Sequence, residues 1–292
     1  MKRLRLYLLF SFSIAWLIWI GSYALNVPST VFQIIVSISM WAPATGLLLT
    51  KKVTGNEKLL VPSLKPKIKE NIKWYVLAWF LPVFLTILGA AIYFIIFRDN
   101  FDSSFGYMQQ LMGAQTGQSA DVQALPMIII AQIVSALTFA PLINMLFALG
   151  EEIGWRGFLF PELTKHISRA KAHIIAGLIW GVWHTPINMM GHNYGLDYPG
   201  YPWMGIIAMC IFTFSAGVIL SWLTENTGSI WPAALGHGAI NAAAGLPILF
   251  LSASTPYNQL LGPSLSGVIA GLPLLVVAIF IMLKVDKNGT SC

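Results

Sequence analysis

The chain has 292 residues, of which 57% are hydrophobic and only 10% are charged, and its net charge is +6. This composition leaves little length for soluble structure and predicts an integral membrane protein. The positive balance does not call for a nucleic-acid partner, because basic loops facing anionic lipid explain it. Cys210 lies in an apolar run and Cys292 is the last residue of the sequence, and neither indicates a disulfide or a cysteine metal cluster.

Apolar runs of roughly 20 residues, long enough to cross a bilayer as helices, fill most of the sequence. We predict an all-α polytopic protein with about eight spans in a single membrane domain, 1–292. In chain order the spans are about 4–25, 30–50, 74–97, 125–150, 172–190, 203–223, 231–252 and 265–283. The first run has a basic start and ends near Ser22-Tyr23-Ala24, as a signal peptide would. Its length and its tryptophans favour a retained span.

The basic residues predict the orientation of the spans. With the N-terminus inside, 16 of the 17 Lys and Arg residues fall on the inner side and only Arg98 falls outside. The inner set is Lys2, Arg3, Arg5, Lys51, Lys52, Lys58, Lys65, Lys67, Lys69, Lys73, Arg156, Lys165, Arg169, Lys171, Lys284 and Lys287. The outer loops carry Asp99, Asp102, Asp121 and Asp197. We expect both termini in the cytosol and, in a prokaryote, a location in the cell membrane.

Two adjacent carboxylates, Glu151 and Glu152, follow a stretch without any charge from Val122 to Gly150. On a helix Glu152 and Arg156 are i and i+4 and close enough to pair, while Glu151 projects from a different face. Such a pair can supply a general base poised near neutrality. It can equally mark the end of the fourth span at the cytosolic interface.

A histidine lies well inside the fifth span, in the segment Trp180-Gly181-Val182-Trp183-His184-Thr185-Pro186. His184 can be a ligand, a proton carrier or a hydrogen-bond donor at a buried site, or a helix-packing residue. Counted from Lys171, it lies roughly 20 Å into the membrane, whereas Glu151 is nominally at the inner end of its span. For the two to meet, Pro141 or Gly150 must displace the end of the fourth span, or the fifth span must begin deeper.

The seventh span carries Gly236-His237-Gly238-Ala239-Ile240-Asn241. His237 and Asn241 are i and i+4, so both side chains project from one helix face. The small residues around them let neighbouring helices approach, or leave space for a substrate backbone. A carboxylate, two histidines and an amide are together the groups that activate water and stabilise a tetrahedral oxyanion.

Three segments carry a resemblance to a known family, and they occur in the order that the family has. They are Glu151-Glu152-x-x-x-Arg156, Trp180-x-x-x-His184 and His237-x-x-x-Asn241. The chain resembles the CAAX protease and bacteriocin-processing (CPBP, or Abi) family of intramembrane endopeptidases, which includes the type II CAAX prenyl endopeptidases. The resemblance covers a motif-bearing core of about 125–250. The family usually has phenylalanine where this chain has Trp180.

The resemblance implies peptide-bond hydrolysis at or just below the cytosolic interface. It implies that Glu151 activates the attacking water, that Glu152 and Arg156 support Glu151, and that His184 lies beside the water. His237 and Asn241 would orient the scissile carbonyl and hold the oxyanion. Partners would be membrane lipid and a peptide or membrane-anchored protein, prenylated or not.

The cofactor stays open on the sequence alone. Glu151, His184 and His237 are acceptable zinc ligands, yet there is no His-Glu-x-x-His helix, and a metal-free glutamate mechanism fits equally. Two other functions stay open as well. A transporter or ion or proton relay could use the same buried groups, and a non-catalytic immunity or scaffold protein could retain the fold.

Overall fold

The computed structural model describes residues 2–55, 64–116 and 124–289, and these ranges are almost entirely helices and short loops. Within them the one β-contact is an isolated bridge between Phe101 and Leu251. The α-helices of these ranges are α1 (Lys2–Ala24), α2 (Ser29–Ser39), α3 (Ala42–Thr54), α4 (Ile68–Ile96), α5 (Gly106–Thr116), α6 (Leu125–Leu137), α7 (Ala140–Gly154), α8 (Phe160–Thr164), α9 (Arg169–Trp183), α10 (Thr185–Met189), α11 (Trp203–Thr227), α12 (Trp231–Ala243) and α13 (Leu272–Gly289). Lys58, Asp121 and Cys292, used in the sequence predictions, lie outside the described residues. The predicted all-α class is confirmed.

Four helical segments of the described chain are long and apolar enough to cross a membrane, or six if each of two bent pairs is one span. The four are α1, α4, α11 and the run Trp231–Phe250, which contains α12. The other two predicted spans correspond to α9, with 15 residues, and to the apolar helix Leu272–Lys284 in α13. Both are shorter than the roughly 20 residues of a full crossing. The polytopic membrane class is confirmed, and the number eight stays a prediction.

The helical run that carries Glu151 and Glu152 does not end at these carboxylates. α6 and the following run, Ala140–Thr164, meet at a bend of 50°. That run joins α7, a π-helical turn at Trp155–Leu159, and α8. The helix therefore continues past position 150, and the inner end of the predicted span 125–150 stays a prediction. Within this run Arg156 pairs with Glu152, so each buried charge has an opposite charge beside it.

Glu151 and His184, expected from the sequence at different depths, both contact Trp180 in the structure. Pro141 lies in the first turn of α7, directly after the bend, whereas Gly150 lies inside the regular helix. Arg156, counted among the inner-loop residues from the sequence, is only 4% exposed.

Close contact between α7 and α12 brings the carboxylates against His237. A Cβ atom at Gly238 would lie 2.5 Å from both the backbone oxygen of Pro141 and the backbone nitrogen of Met145. Glycine at this position therefore lets the two helix backbones touch. The small residues around His237 had two interpretations from the sequence, and the structure places Gly238 at a helix contact.

A second close contact sets the position of α9 against α11. A Cβ atom at Gly177 would lie 2.5 Å from the Cα atom of Phe214, and the hydroxyl of Thr213 donates to the carbonyl oxygen of Gly177 at 2.9 Å. Trp180 lies one turn further along α9 and is buried. The two glycine contacts together place α9 and α12 on either side of the Glu151 region.

Replacement of Gly238 by alanine tests the first contact. Gly238→Ala is expected to lower the free energy of unfolding by about 1–3 kcal/mol, because the added methyl group overpacks the interface between α7 and α12. Chemical denaturation of the detergent-solubilised protein measures the change. Gly21→Ala in α1 is the matched control, since a Cβ atom there meets nothing within 4 Å. Equal losses in the two variants would contradict the close approach.

Candidate active site

The two adjacent carboxylates have different partners. Glu152 is 0% exposed, and its Oε1 atom accepts hydrogen bonds from Arg156 Nη1 at 3.0 Å and from His237 Nδ1 at 2.8 Å. Its Oε2 atom is buried and has no hydrogen-bond partner among the described residues. The predicted pairing of Glu152 with Arg156 is present, and one oxygen carries both of the bonds that compensate this charge.

Glu151 is held by neutral donors instead. It is 2% exposed, and its Oε2 atom accepts hydrogen bonds from the indole nitrogens of Trp155 at 2.9 Å and Trp180 at 2.6 Å. No hydrogen bond joins its Oε1 atom to any residue that the structure describes. Glu151 therefore projects from a different face than Glu152, as predicted, and keeps one oxygen available for a ligand or a water molecule.

Both histidines use Nδ1 for structural hydrogen bonds. His237 Nδ1 faces the Glu152 carboxylate, and His184 Nδ1 donates to the carbonyl oxygen of Trp180 at 2.9 Å. Because carbonyl and carboxylate oxygens only accept, Nδ1 carries the proton in each ring. The Nε2 atoms are then the positions left for chemistry. His237 is 6% exposed and His184 is half-buried.

Trp180 connects these groups. The Cζ atom of Arg156 lies 4.3 Å from the centre of the Trp180 ring, in a cation–π contact. The ring centre of His237 lies 5.3 Å from that of Trp180, and the ring centre of His184 lies 6.1 Å from it. The structure thus brings Glu151, Glu152, Arg156, His184 and His237 around one indole.

Asn241 is the sequence-predicted residue that stands apart. It lies one turn beyond His237 on α12, but its side chain is exposed. It makes no hydrogen bond to any other part of the described chain. The structure therefore places Asn241 on the same helix face as His237 without joining it to the buried network.

One cavity follows the site along α12, and a second is lined by Arg156. The first, of about 450 Å³, lies between α6, the start of α7 and the end of α12; it is lined mainly by apolar side chains. Its lining includes Ala242 and Gly245, which follow Asn241 in the chain. The other, of about 200 Å³, is lined by Arg156, Ser221, Thr224 and Glu225, among others. Glu225 pairs with Arg169 at its edge, so this second cavity reaches Arg156 from the side of the basic loops.

The candidate zinc ligands do not form a metal site in the described residues. Among the described residues, no three His, Cys, Asp or Glu side chains lie close enough together to hold an ion. Glu151 keeps its Oε1 atom and each histidine keeps its Nε2 atom as a donor, but these atoms do not converge on one position in this arrangement. We therefore derive no step through a metal.

Two residues of this site were not assigned a role from the sequence. Trp155 follows Glu151 by four positions, which is the same spacing as Glu152 and Arg156. That spacing was the available signal for its hydrogen bond. Trp180 was identified only as part of a motif, because nothing in the sequence shows which group its indole N–H faces.

Buried glutamates and histidines on packed helices define the class: a membrane protein with a polar cluster inside its helical core. Two comparisons with known proteins then show which family the chain resembles. The family model for the type II CAAX prenyl endopeptidase Rce1-like proteins matches residues 132–243. The chain is also 25% identical over 245 residues to CAAX prenyl protease 2 of Methanococcus maripaludis, with 81% of this chain and 82% of that protein covered.

The matched segment contains all three sequence motifs. Both comparisons agree with the resemblance found in these motifs: the chain is similar to the type II CAAX prenyl endopeptidases. Its class is accordingly a peptide hydrolase of the membrane, similar to the CAAX proteases.

Removal of Arg156 tests the charge balance of the site. Arg156→Met is expected to destabilise the protein by about 3–5 kcal/mol, because it leaves the Glu152 carboxylate buried without its main counter-charge. The double variant Glu152→Met/Arg156→Met removes both charges and should recover much of this loss. Unfolding in detergent measures both. A double variant less stable than Arg156→Met would show that Glu152 does not depend on Arg156.

Proposed function

We propose that this protein hydrolyses a peptide bond of a membrane-anchored substrate, with Glu151 activating the attacking water. The observation that carries the proposal is the division of the carboxylate pair. Glu152 is bonded to Arg156 and His237, whereas Glu151 has a free Oε1 atom, and its partner Trp180 packs against both imidazole rings. A general base needs an oxygen atom that has no other hydrogen-bond partner and can accept a proton from water.

Water is the first reactant. A water molecule between Glu151 Oε1 and His184 Nε2 would donate a hydrogen bond to each acceptor. Glu151 takes one of its protons as the water oxygen attacks the scissile carbonyl carbon. The 200 Å³ cavity beside Arg156 supports a supply of water from the side of the basic loops. A smaller adjoining cavity is lined by both Arg156 and Trp180.

The oxyanion then needs hydrogen-bond donors. With Nδ1–H directed to Glu152, His237 can donate from Nε2 only in its protonated form. The Asn241 amide is free to add a second donor. Collapse of the tetrahedral intermediate breaks the C–N bond, and Glu151 returns its proton to the leaving amine.

The apolar cavity of about 450 Å³ supports a lipid-modified substrate. Its size falls within the usual range of small-molecule pockets, roughly 300–1,000 Å³. It lies beside the Asn241 end of α12 and is walled by residues such as Ile128 and Ala136, so an isoprenoid or acyl chain could lie there. CAAX prenyl protease 2 of Methanococcus maripaludis is named for a prenylated motif. We propose the same substrate class here, and 125–250 as the catalytic core.

Peptide cleavage by the reconstituted protein tests the reaction. Glu151→Gln is expected to lower the cleavage rate by about 10²–10⁴-fold, because the amide cannot accept the proton from water. His237→Ala should lower it about 10²–10³-fold through loss of an oxyanion donor. Glu70→Gln, at an exposed position in the first turn of α4, is the matched control and should cleave normally.

Liposomes should hold the same peptide with and without a farnesyl group, and mass spectrometry should follow the products. Preference for the farnesylated peptide supports the lipid cavity. Full cleavage by Glu151→Gln would contradict the assignment of the base. Proton or ion flux that is lost in Glu151→Gln, without any cleavage, would favour a transporter.

The orientation of the protein gives a separate prediction. We propose that the loop after α3 faces the cytosol, with both termini, and that the loop before α11 faces the opposite side. Single cysteines at the exposed positions Lys51 and Asp197 are suitable probes in a Cys210→Ala/Cys292→Ser background. A membrane-impermeant thiol reagent should label Asp197→Cys in intact cells and Lys51→Cys only in inverted vesicles. The reverse pattern would overturn the cytosolic location of the site.

A further inference from the structure

Two indole groups hold the same oxygen of Glu151, and they come from different segments. Trp155 belongs to the π-helical turn after α7, and Trp180 belongs to α9. Both side chains are buried, and both N–H groups point to Oε2, at 2.9 Å and 2.6 Å. The carboxylate is therefore fixed from two directions, which leaves its rotation about the terminal bond little freedom.

We propose that Trp155 and Trp180 are positioning residues that determine which oxygen of Glu151 reacts. Resting on the proposed function, the inference is that the two N–H groups hold Oε2 so that Oε1 alone meets the water. The indoles act through Glu151 and do not themselves touch the reacting atoms. A carboxylate with only one donor could turn and present either oxygen, or neither, to the water.

The chemistry of the donors supports this role. An indole N–H is neutral, so it orients a carboxylate and leaves its negative charge in place. A lysine or arginine in the same position would neutralise that charge. The one guanidinium nearby, that of Arg156, is bonded to Glu152 and lies over the face of the Trp180 ring. Arg156 thus compensates the charge of Glu152, whereas the neutral indole groups orient Glu151 without compensating its charge.

Trp180 also couples Glu151 to the histidines. Its carbonyl oxygen accepts from His184 Nδ1 at 2.9 Å, and its ring meets that of His237 edge to face. The same residue therefore sets the carboxylate and touches both imidazoles. Phenylalanine at this position would keep the carbonyl group and most of the ring contacts but would lose the donor.

Phenylalanine variants isolate the N–H groups. In Trp155→Phe and Trp180→Phe, kcat for peptide cleavage is expected to fall about 10-fold or more, while KM changes by less than about twofold. Trp19→Phe is the matched control, because Trp19 is equally buried and its indole N–H donates to Ser39 Oγ at 2.7 Å and not to Glu151. Its kcat should stay unchanged. An unchanged kcat in both site variants, or the same fall in Trp19→Phe, would overturn the inference.

A spectroscopic measurement reports on the hydrogen bonds directly. With ¹⁵N-labelled tryptophan, the indole signals of Trp155 and Trp180 are identified by their loss in the two phenylalanine variants. Both signals should move upfield in Glu151→Gln and stay nearly in place in Glu162→Gln, whose carboxylate pairs with Lys165. If the chemical shifts of both indole signals are unchanged in Glu151→Gln, the inference is overturned, whatever the kinetics show.

The two proposals fail in different ways. If the wild-type protein cleaves peptides and both phenylalanine variants keep the wild-type kcat, the inference fails and the proposed function stands. If the wild-type protein cleaves no peptide, the proposed function fails, and the positioning role fails with it even where the indole signals respond to Glu151.

Discussion

Oε1 of Glu152 accepts hydrogen bonds from Arg156 on its own helical run and from His237 on α12, in a region closed to solvent. Burial makes each of these charges costly alone, so the three groups must stay together. Gly238 permits the approach of α12 to α7 that this arrangement requires. The two glutamates have different partners for this reason. Because Arg156 is bonded to Glu152, the hydrogen bonds to Glu151 come from neutral donors.

Several parts of the site could be predicted from residue spacing. The interval of four positions between Glu152 and Arg156 predicted their pairing, and the structure contains it. The order of the three motifs predicted a resemblance to CAAX proteases, and the comparisons find the same similarity. These predictions succeed because they depend on local helix geometry or on the order of residues along the chain. Neither requires knowledge of which helices are neighbours.

Other features could not be obtained in this way. The helical run continues through a π-helical turn beyond the carboxylates, so they lie inside a run and not at a helix end, and hydropathy alone does not show this. The hydrogen bond from Trp180 to Glu151 joins residues 29 positions apart on different helices. Asn241 was expected to act with His237, yet packing buries one and leaves the other exposed. In each case a contact between helices decides the outcome.

The bend between α6 and α7 has an evolutionary consequence. α6 supplies one wall of the larger cavity through residues such as Gln132 and Ser135, but it supplies none of the hydrogen bonds around Glu151 and Glu152. If this cavity holds the lipid of the substrate, as proposed, changes in the sequence of α6 would alter the choice of substrate without disturbing the buried charges. Selection would then act on substrate and on reaction chemistry in separate helices.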